Sequence, residues 1–328
     1  MKSNVCGWGR ALCGAGVAGA VLLAACGGGS QVEAFHATRV LAFGDETSVI
    51  NADGSKYSVN AVQTDLITLD CNNNLLWIQT VAAAYGLVFP ECNTLPVSAP
   101  VSRILAFNGA KVADISTQVD QQLANDGFAP KDIVTMLVGA NDILAQYADY
   151  PRVSEADLTA NVEQAGAALA AQVNRIANLG AKVLLSTTID MGFTPLALTE
   201  EAANPGRAAL LSRLSARFNA ALRANIMNDG RKIGLVKLDE YVSGVAKARA
   251  AGGGTFANTT LAACLPTAPL PSCTPQTLGT DAGAVPPPTT PVAADGATWL
   301  WADTTHLSAG GQTSLGSLAL TRAQNNPF

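Results

Sequence analysis

Five short apolar runs are spaced along the chain and alternate with segments of helical periodicity. The first run, residues 39–43, is apolar after its opening arginine and stops at Gly44-Asp45. Runs without polar alternation are typical of parallel strands that are covered on both faces. The pattern predicts five strands, over residues 39–43, 104–107, 132–138, 182–187 and 233–238.

Apolar residues at helical spacing occur between and after these runs. They predict helices over residues 75–85, 115–123, 154–179, 207–227, 239–250 and 308–323, and residues 49–59 predict a small hairpin. Alternation of strand and helix indicates one right-handed, doubly wound α/β layer. The carboxyl ends of its strands share one edge, where ligands bind. Glu46, Gly109 and Asn141 follow the first three strands, so we expect them to meet at that edge.

Residues 251–298 break this alternation. The segment is dense in Pro, Gly, Thr and Ala, and it contains three consecutive prolines. Such a composition indicates a long loop, not a further domain. Residues 39–328 are therefore predicted to form a single domain that ends in the helix over residues 308–323.

The first 25 residues resemble a secretion signal. Lys2 and Arg10 supply positive charge, and residues 11–25 supply an apolar stretch that is too short to span a membrane. The sequence Leu23-Ala24-Ala25-Cys26 resembles a bacterial lipobox, in which the cysteine is lipidated. The alternative is ordinary signal cleavage, with Cys26 incidental.

Lipidation of Cys26 would hold the protein on a membrane without a spanning helix. Residues 26–38 would then form a tether, which begins with glycines. Gly27, rather than an aspartate, follows the cysteine, and by resemblance to the sorting rule of lipoproteins this favours the outer membrane. The expected location is the bacterial cell envelope, with a lipid anchor.

The charge of the chain argues against nucleic acid as a partner. The chain has 328 residues and a formal net charge of −5, and its basic residues form no patch. Nucleic acid is therefore not an expected partner.

Four cysteines remain once residues 1–25 are removed and Cys26 is acylated: Cys71, Cys92, Cys264 and Cys273. Export favours disulfides. Of the three possible connectivities we prefer local pairing, which joins Cys71 to Cys92 and Cys264 to Cys273. A metal site is a weaker alternative, because no Cys-x-x-Cys occurs and the only histidines are His36 and His306.

Asp303-Thr304-Thr305-His306 directly precedes the last predicted helix. An aspartate that orients an imidazole and stabilises its charged form is the base half of a catalytic triad. The alternative is that His306 caps or packs against the helix. Trp299 and Trp301 lie just before this segment, and we expect them to pack rather than to stack on sugars.

Four motifs follow one another in order: Gly44-Asp45, Asn108-Gly109, Gly139-Ala140-Asn141-Asp142 and Asp303-x-x-His306. Together they resemble the SGNH or GDSL hydrolase family, over residues 39–324. The resemblance implies a flavodoxin-like, three-layer α/β/α sandwich with a mostly parallel five-stranded sheet. It also implies hydrolysis of esters and related acyl bonds, with no cofactor.

The resemblance also assigns roles to residues. His306 is the catalytic base, and Asp303 is its partner. The residue at the nucleophile position, Glu46, contributes to an oxyanion hole together with the backbone N–H of Gly109 and the side-chain amide of Asn141. The supporting positions are Gly44, Asp45, Ser48, Gly139 and Asp142.

The chain departs from the family at the nucleophile, where Glu46 replaces a serine. Aligned without a gap, Ser48 matches a second serine that often follows in the family. Direct attack of a carboxylate on an ester would give a less stable anhydride, whereas carboxylate nucleophiles suit displacement at alkyl carbon.

Three interpretations of Glu46 stay open. Glu46 is ionised beside an imidazolium and positions or deprotonates a water molecule with His306. Alternatively, the site binds an acyl or glycan group without turnover. In the third interpretation, a shifted turn recruits Ser48 or Thr47 as the nucleophile.

The expected function is esterase-type or lipase-type hydrolysis of a small acyl ester or an acylated glycan. The alternative is a catalytically lapsed pseudo-esterase that binds such a ligand in the cell envelope.

Overall fold

The apolar runs form a five-stranded sheet in the computed structural model, which describes residues 35–93, 95–284 and 288–325. The strands are β1 Arg39–Gly44, β2 Arg103–Ile104, β3 Asp132–Leu137, β4 Lys182–Ser186 and β5 Ile233–Val236. All are parallel, in the order β2-β1-β3-β4-β5. Every residue of β3 is buried, and β1 is buried after Arg39, as expected for strands covered on both faces.

Helices cover both faces of this sheet. They are α1 Trp77–Ala83, α2 Ile115–Asn125, α3 Ala140–Ala148, α4 Glu155–Asn178, α5 Pro195–Ala203, α6 Arg207–Asn225, α7 Leu238–Ala250 and α8 Ala309–Asn325. One group contains α1 and α8, which pack against each other, and the other contains α4, which packs against α2 and α6. The predicted fold class, a flavodoxin-like α/β/α sandwich, is confirmed.

The longest helix illustrates how the sequence sets these layers. Ser154 accepts a hydrogen bond from the backbone N–H of Asp157 (3.2 Å) and caps α4. Its buried positions, which include Leu158, Val162 and Leu169, recur every three or four residues and form one apolar face. That apolar face packs α4 against the sheet and the neighbouring helices.

The second strand is shorter than predicted. Pairing with β1 ends at Ile104, because the N–H groups of Leu105 and Ala106 both donate to the carbonyl of Ala42, at 2.7 and 3.0 Å. The ladder register is lost there, so the strand predicted over residues 104–107 is wrong beyond its first residue. The chain nevertheless stays beside β1, since Phe107 donates to the carbonyl of Gly44 (3.3 Å).

Residues 251–298 hold more structure than the predicted long loop. A strand, β6 Asn258–Ala262, pairs in parallel with β7 Trp299–Trp301. Nε1 of Trp301 donates to the carbonyl of Thr259 (3.0 Å), which helps to hold the pair. The prediction of a loop is therefore wrong for residues 258–262. Both tryptophans are buried, in agreement with the packing interpretation.

The two predicted disulfides are confirmed. Cys71–Cys92 joins the segment before α1 to the segment after it, and Cys264–Cys273 lies within a small apolar cluster next to β6 and β7.

The predicted signal peptide, Cys26 and most of the predicted tether lie outside the described residues. Among the helices that the structure describes, none has an apolar stretch long enough to cross a membrane.

Candidate active site

The end of β1 places Glu46 at the carboxyl edge of the sheet. Gly44 has a φ of +121°, and a Cβ atom there would lie 1.8 Å from the carbonyl oxygen of Leu137 in β3, so only glycine fits. Asp45 then accepts a hydrogen bond from the N–H of Thr47 (3.1 Å) and opens a single 3₁₀ turn, Glu46–Ser48. The turn directs the Glu46 side chain toward the ends of the neighbouring strands.

The Glu46 carboxylate lies among the predicted oxyanion-hole donors. Its Oε2 accepts hydrogen bonds from the backbone N–H of Gly109 (2.8 Å) and from Nδ2 of Asn141 (3.1 Å). Only 5% of the residue is exposed. The Glu46 side chain, which is longer than that of a serine, thus occupies the space between the two donors that were predicted for the oxyanion hole.

The residues after β3 hold these donors in place. Asn141 is the second residue of α3, and a Cβ atom on Gly139 just before that helix would lie 2.5 Å from the ring of Phe218. The carboxylate of Asp142 accepts a hydrogen bond from the N–H of Val112 (3.0 Å) and so joins α3 to the segment that carries Gly109. Gly139 and Asp142 thus act on the site through packing and positioning.

His306 reaches the same carboxylate from the loop between β7 and α8. Its Nε2 lies 3.0 Å from Oε1 of Glu46, and its Nδ1 lies 2.8 Å from Oδ2 of Asp303. Oδ1 of Asp303 also accepts hydrogen bonds from the backbone N–H groups of Thr305 (2.8 Å) and His306 (2.7 Å). Asp303 therefore fixes both the loop and the imidazole ring.

The imidazole is charged at neutral pH. Burial opposes the imidazolium, but hydrogen bonds and charges from Asp303 and Glu46 outweigh that effect and raise the pKa of His306 to about 10. Burial alone would raise the pKa of both carboxyls. The hydrogen bond from His306 nevertheless holds the pKa of Glu46 and the pKa of Asp303 below their usual values. The three groups carry a net charge of −1.

Asp45 stands apart from this ion pair. Burial, followed by the charge of Glu46, raises the pKa of Asp45 to about 7. Asp45 is therefore a supporting group that holds the turn, and part of its population is protonated near neutral pH.

Ser48 does not face His306. The hydroxyl is fully buried and lies 3.0 Å from Nε1 of Trp77, which donates to it. Ser48 thus holds the turn against α1. The arrangement gives no support to the interpretation in which a shifted turn presents this serine.

A small crevice opens beside Glu46 and His306. Its walls include the apolar side chains of Leu144, Ile189 and Leu238 and the threonine Thr188. Sequence reasoning missed Thr188 and Ile189, the two residues after the strand predicted over residues 182–187, and Leu238, which ends the strand predicted over residues 233–238. It also missed Tyr57, whose ring centroid is 6.5 Å from that of His306.

The Glu46 side chain has the length of a serine that carries an acyl group, because its Cγ corresponds to the serine oxygen and its carboxyl carbon to the acyl carbon. One carboxylate oxygen accepts a hydrogen bond from the N–H of Gly109, and the other contacts the imidazole. Within the described residues, no group of three or more His, Cys, Asp or Glu residues is arranged to hold a metal ion.

The model of one protein family, described as GDSL-like lipase/acylhydrolase, matches residues 40–316. No curated protein matches the chain. Glu46 therefore lies inside the matched region, as do the two oxyanion-hole donors and the Asp303–His306 pair.

Several solved structures are similar to this chain. A GDSL-like lipase structure from Parabacteroides merdae has 13% identity and a TM-score of 0.45, covering 89% of this chain and 98% of its own. The acetylxylan esterase Axe2 from Geobacillus stearothermophilus has 13% identity and a TM-score of 0.43, covering 88% of this chain and 96% of its own. At such low identity, membership of a family rests on the match over residues 40–316.

Proposed function

Because the chain belongs to the GDSL-like lipase/acylhydrolase family, we propose that it is an esterase-type hydrolase in which Glu46 activates water. The observation that carries the proposal is the position of the Glu46 carboxylate. It lies 3.0 Å from Nε2 of His306 and within hydrogen-bonding distance of Gly109 and Asn141. An acid, a base and an oxyanion hole are thus present in one crevice.

Acyl transfer at this site requires one rearrangement. The Glu46 side chain rotates out of the hole, and the carbonyl oxygen of the ester takes its place on the N–H of Gly109 and the amide of Asn141. These donors then stabilise the oxyanion of the tetrahedral intermediate, and each such donor is worth about 3 kcal/mol. Ester binding thus competes with the carboxylate for the hole.

The proton transfers balance without a covalent intermediate. Glu46 removes a proton from water as its oxygen adds to the acyl carbon. The His306 imidazolium then donates a proton to the leaving alkoxide, and the products are a carboxylic acid and an alcohol. After the products leave, Glu46 returns to its original position and passes its proton to His306 across their 3.0 Å contact, which restores the ion pair.

The crevice favours small, uncharged acyl groups. Leu144, Ile189 and Leu238 supply an apolar wall, and the net charge of −1 on the three central groups repels anionic substrates. We propose a short acyl ester or an acylated glycan as the substrate class.

A second candidate, a lapsed esterase that only binds such a ligand, is favoured by a separate observation. Oε2 of Glu46 fills the oxyanion hole, and His306 is protonated at neutral pH. A serine-type enzyme needs an empty hole and a neutral imidazole.

Hydrolysis of p-nitrophenyl acetate distinguishes the two candidates. We expect turnover by the wild type, a loss of at least about 10²-fold in Glu46→Gln and His306→Ala, and no change in the surface control Glu163→Gln. An inactive wild type, together with retained binding of the ester, would support the lapsed esterase. Loss of activity in Ser48→Ala together with full activity in Glu46→Gln would assign the chemistry to a serine and contradict both candidates.

We further propose that lipidation of Cys26 anchors the protein in the bacterial envelope, at the outer membrane. Labelled palmitate should be incorporated into the wild type and not into Cys26→Ser, which should appear in the soluble fraction. Label in Cys26→Ser, or a soluble wild type, would contradict the anchor.

A further inference from the structure

Glu46 differs from a serine because it carries its own carbonyl carbon. Its Oε2 is 2.8 Å from the N–H of Gly109, and its Oε1 is 3.0 Å from Nε2 of His306. An ester formed on Oε1 would therefore already have its carbonyl oxygen in the oxyanion hole. Its carbonyl carbon would lie next to the imidazole that Asp303 orients. The oxyanion-hole donors and the imidazole, which would hydrolyse an acylated serine at this position, are therefore in place to hydrolyse an ester of Glu46.

We propose that this site also hydrolyses small uncharged compounds that carry a leaving group on a saturated carbon, through an alkyl ester of Glu46. The inference goes beyond the proposed function, because it concerns a different bond and requires no movement of Glu46 out of the hole. Alkyl halides are the simplest members of this substrate class.

In the first step, a lone pair of Glu46 Oε1 attacks the saturated carbon. The bond from carbon to the leaving group breaks, and the halide departs with the bonding electrons. A carboxylate is a competent nucleophile for such displacement. The product is an ordinary ester, so the step avoids the anhydride that would form from an acyl substrate. The hydrogen bonds to Oε2 hold the carboxylate in one orientation during the attack.

Alkylation of Glu46 prepares the second step. It removes one of the two anions that keep the His306 imidazolium charged, so His306 releases a proton to solvent more readily. Neutral Nε2 then takes a proton from water, whose oxygen adds to the carboxyl carbon of Glu46. The oxyanion that develops on Oε2 remains on the donors of Gly109 and Asn141.

Collapse of this intermediate breaks the bond between the carboxyl carbon and Oε1. His306 protonates the departing alkoxide, and the new carboxylic acid returns its proton to His306. The sum is alkyl halide plus water giving alcohol, halide and a proton. The oxygen of water stays in Glu46, and the alcohol leaves with the oxygen that Glu46 held before.

The walls of the crevice suit such substrates. Leu144, Ile189 and Leu238 offer apolar contact to an alkyl chain. The net negative charge of the central groups disfavours anionic substrates, and the halide leaves toward solvent.

The test uses 1-bromobutane and the full chain. We expect continuous release of bromide and butanol from the wild type, and only the rate without protein from Glu46→Gln. His306→Ala and His306→Gln should release one equivalent of bromide and retain one butyl group on Glu46, found by mass spectrometry of the peptide. His36→Ala, a variant of the other histidine, should behave as the wild type. Circular dichroism checks that the variants fold.

Two further measurements separate this inference from the proposed function. In oxygen-18 water, a single turnover should place the label in the Glu46 carboxylate and leave the first butanol unlabelled. Bromide release by Glu46→Gln at the wild-type rate, no adduct in either His306 variant, or no bromide release by the wild type overturns the inference. Hydrolysis of p-nitrophenyl acetate in the same preparation would then leave the proposed function standing.

Discussion

Oε1 of Glu46 lies 3.0 Å from Nε2 of His306, although the two residues are 260 positions apart in the chain. The contact forms because Glu46 follows β1, which lies between β2 and β3, and the loop after β7 brings His306 over the same edge of the sheet. Glu46 occupies the predicted nucleophile position, and His306 is the predicted base. In this structure the two residues form an ion pair with each other. The chemistry of the site therefore depends on where Glu46 holds its carboxylate.

Replacement of Glu46 by serine should create a serine esterase. The hole becomes empty, and loss of the carboxylate lowers the pKa of His306 toward the range in which it accepts a proton. Hydrolysis of p-nitrophenyl acetate should increase in Glu46→Ser and disappear in Glu46→Ser/His306→Ala. Addition of Asn141→Ala to Glu46→Ser should lower kcat by about 10²–10³-fold. Activity of Glu46→Ser that does not need His306 would contradict this assignment.

Stability should depend on His306 in the alkaline range. Its pKa is raised from 6.5 to about 10 in the folded protein. The imidazolium therefore contributes its full stabilisation below pH 6.5 and loses it as the pH rises toward 10. We expect the difference in free energy of unfolding between the wild type and His306→Gln to shrink across that interval, in urea titrations at several pH values. A constant difference would show that His306 is not held charged by folding.

The buried ion pair between Arg39 and Asp132 should stabilise the folded protein more than an exposed ion pair does. Arg39 binds both carboxylate oxygens of Asp132, at 3.0 and 2.6 Å, and the Asp132 side chain is 2% exposed. Asp132→Ala leaves this guanidinium with the more exposed Asp126 (2.7 Å) as its charged partner and should lower the free energy of unfolding by about 2 kcal/mol. Asp120→Ala removes the exposed pair with Arg175 and should cost less than about 1 kcal/mol. Equal losses in urea unfolding would contradict the ranking.

Gly44→Ala should disrupt the strand end that carries the site. The new Cβ would overlap the carbonyl oxygen of Leu137 at 1.8 Å, and alanine disfavours a φ of +121°. We expect a loss of more than about 3 kcal/mol in the free energy of unfolding. Gly244→Ala in α7 is the matched control, because its Cβ meets no atom within 4 Å, and it should be neutral or slightly stabilising. Similar thermal unfolding of both variants would refute the close approach at Gly44.

The sequence was sufficient for four of the five strands of the sheet, for their parallel arrangement and for the meeting of Glu46 with Gly109 and Asn141. These four runs are almost wholly buried, so their sequences are mostly apolar, and the carboxyl ends of parallel strands lie at one edge of the sheet. The disulfide pairing followed because the two pairs are neighbours in the chain.

Other features depend on tertiary contacts that leave a weak local pattern. β6 forms only because β7 returns beside it from more than 35 residues away. The occupation of the oxyanion hole depends on the length and rotamer of one side chain, Glu46. Tyr57 approaches His306 from the segment that predicted a hairpin over the crevice, but that pattern does not indicate which side chain makes the contact.

The central claim is that Glu46, with one oxygen in the oxyanion hole, forms an ion pair with His306. A pH titration of the histidine side chains by nitrogen-15 NMR tests this claim most directly. The chain has only two histidines, and His36→Ala assigns their signals. We predict that His306 stays an imidazolium through neutral pH, with a pKa of about 10, and that Glu46→Gln lowers that pKa. A His306 signal that titrates near 6.5 in the wild type, or that does not change in Glu46→Gln, would contradict the account.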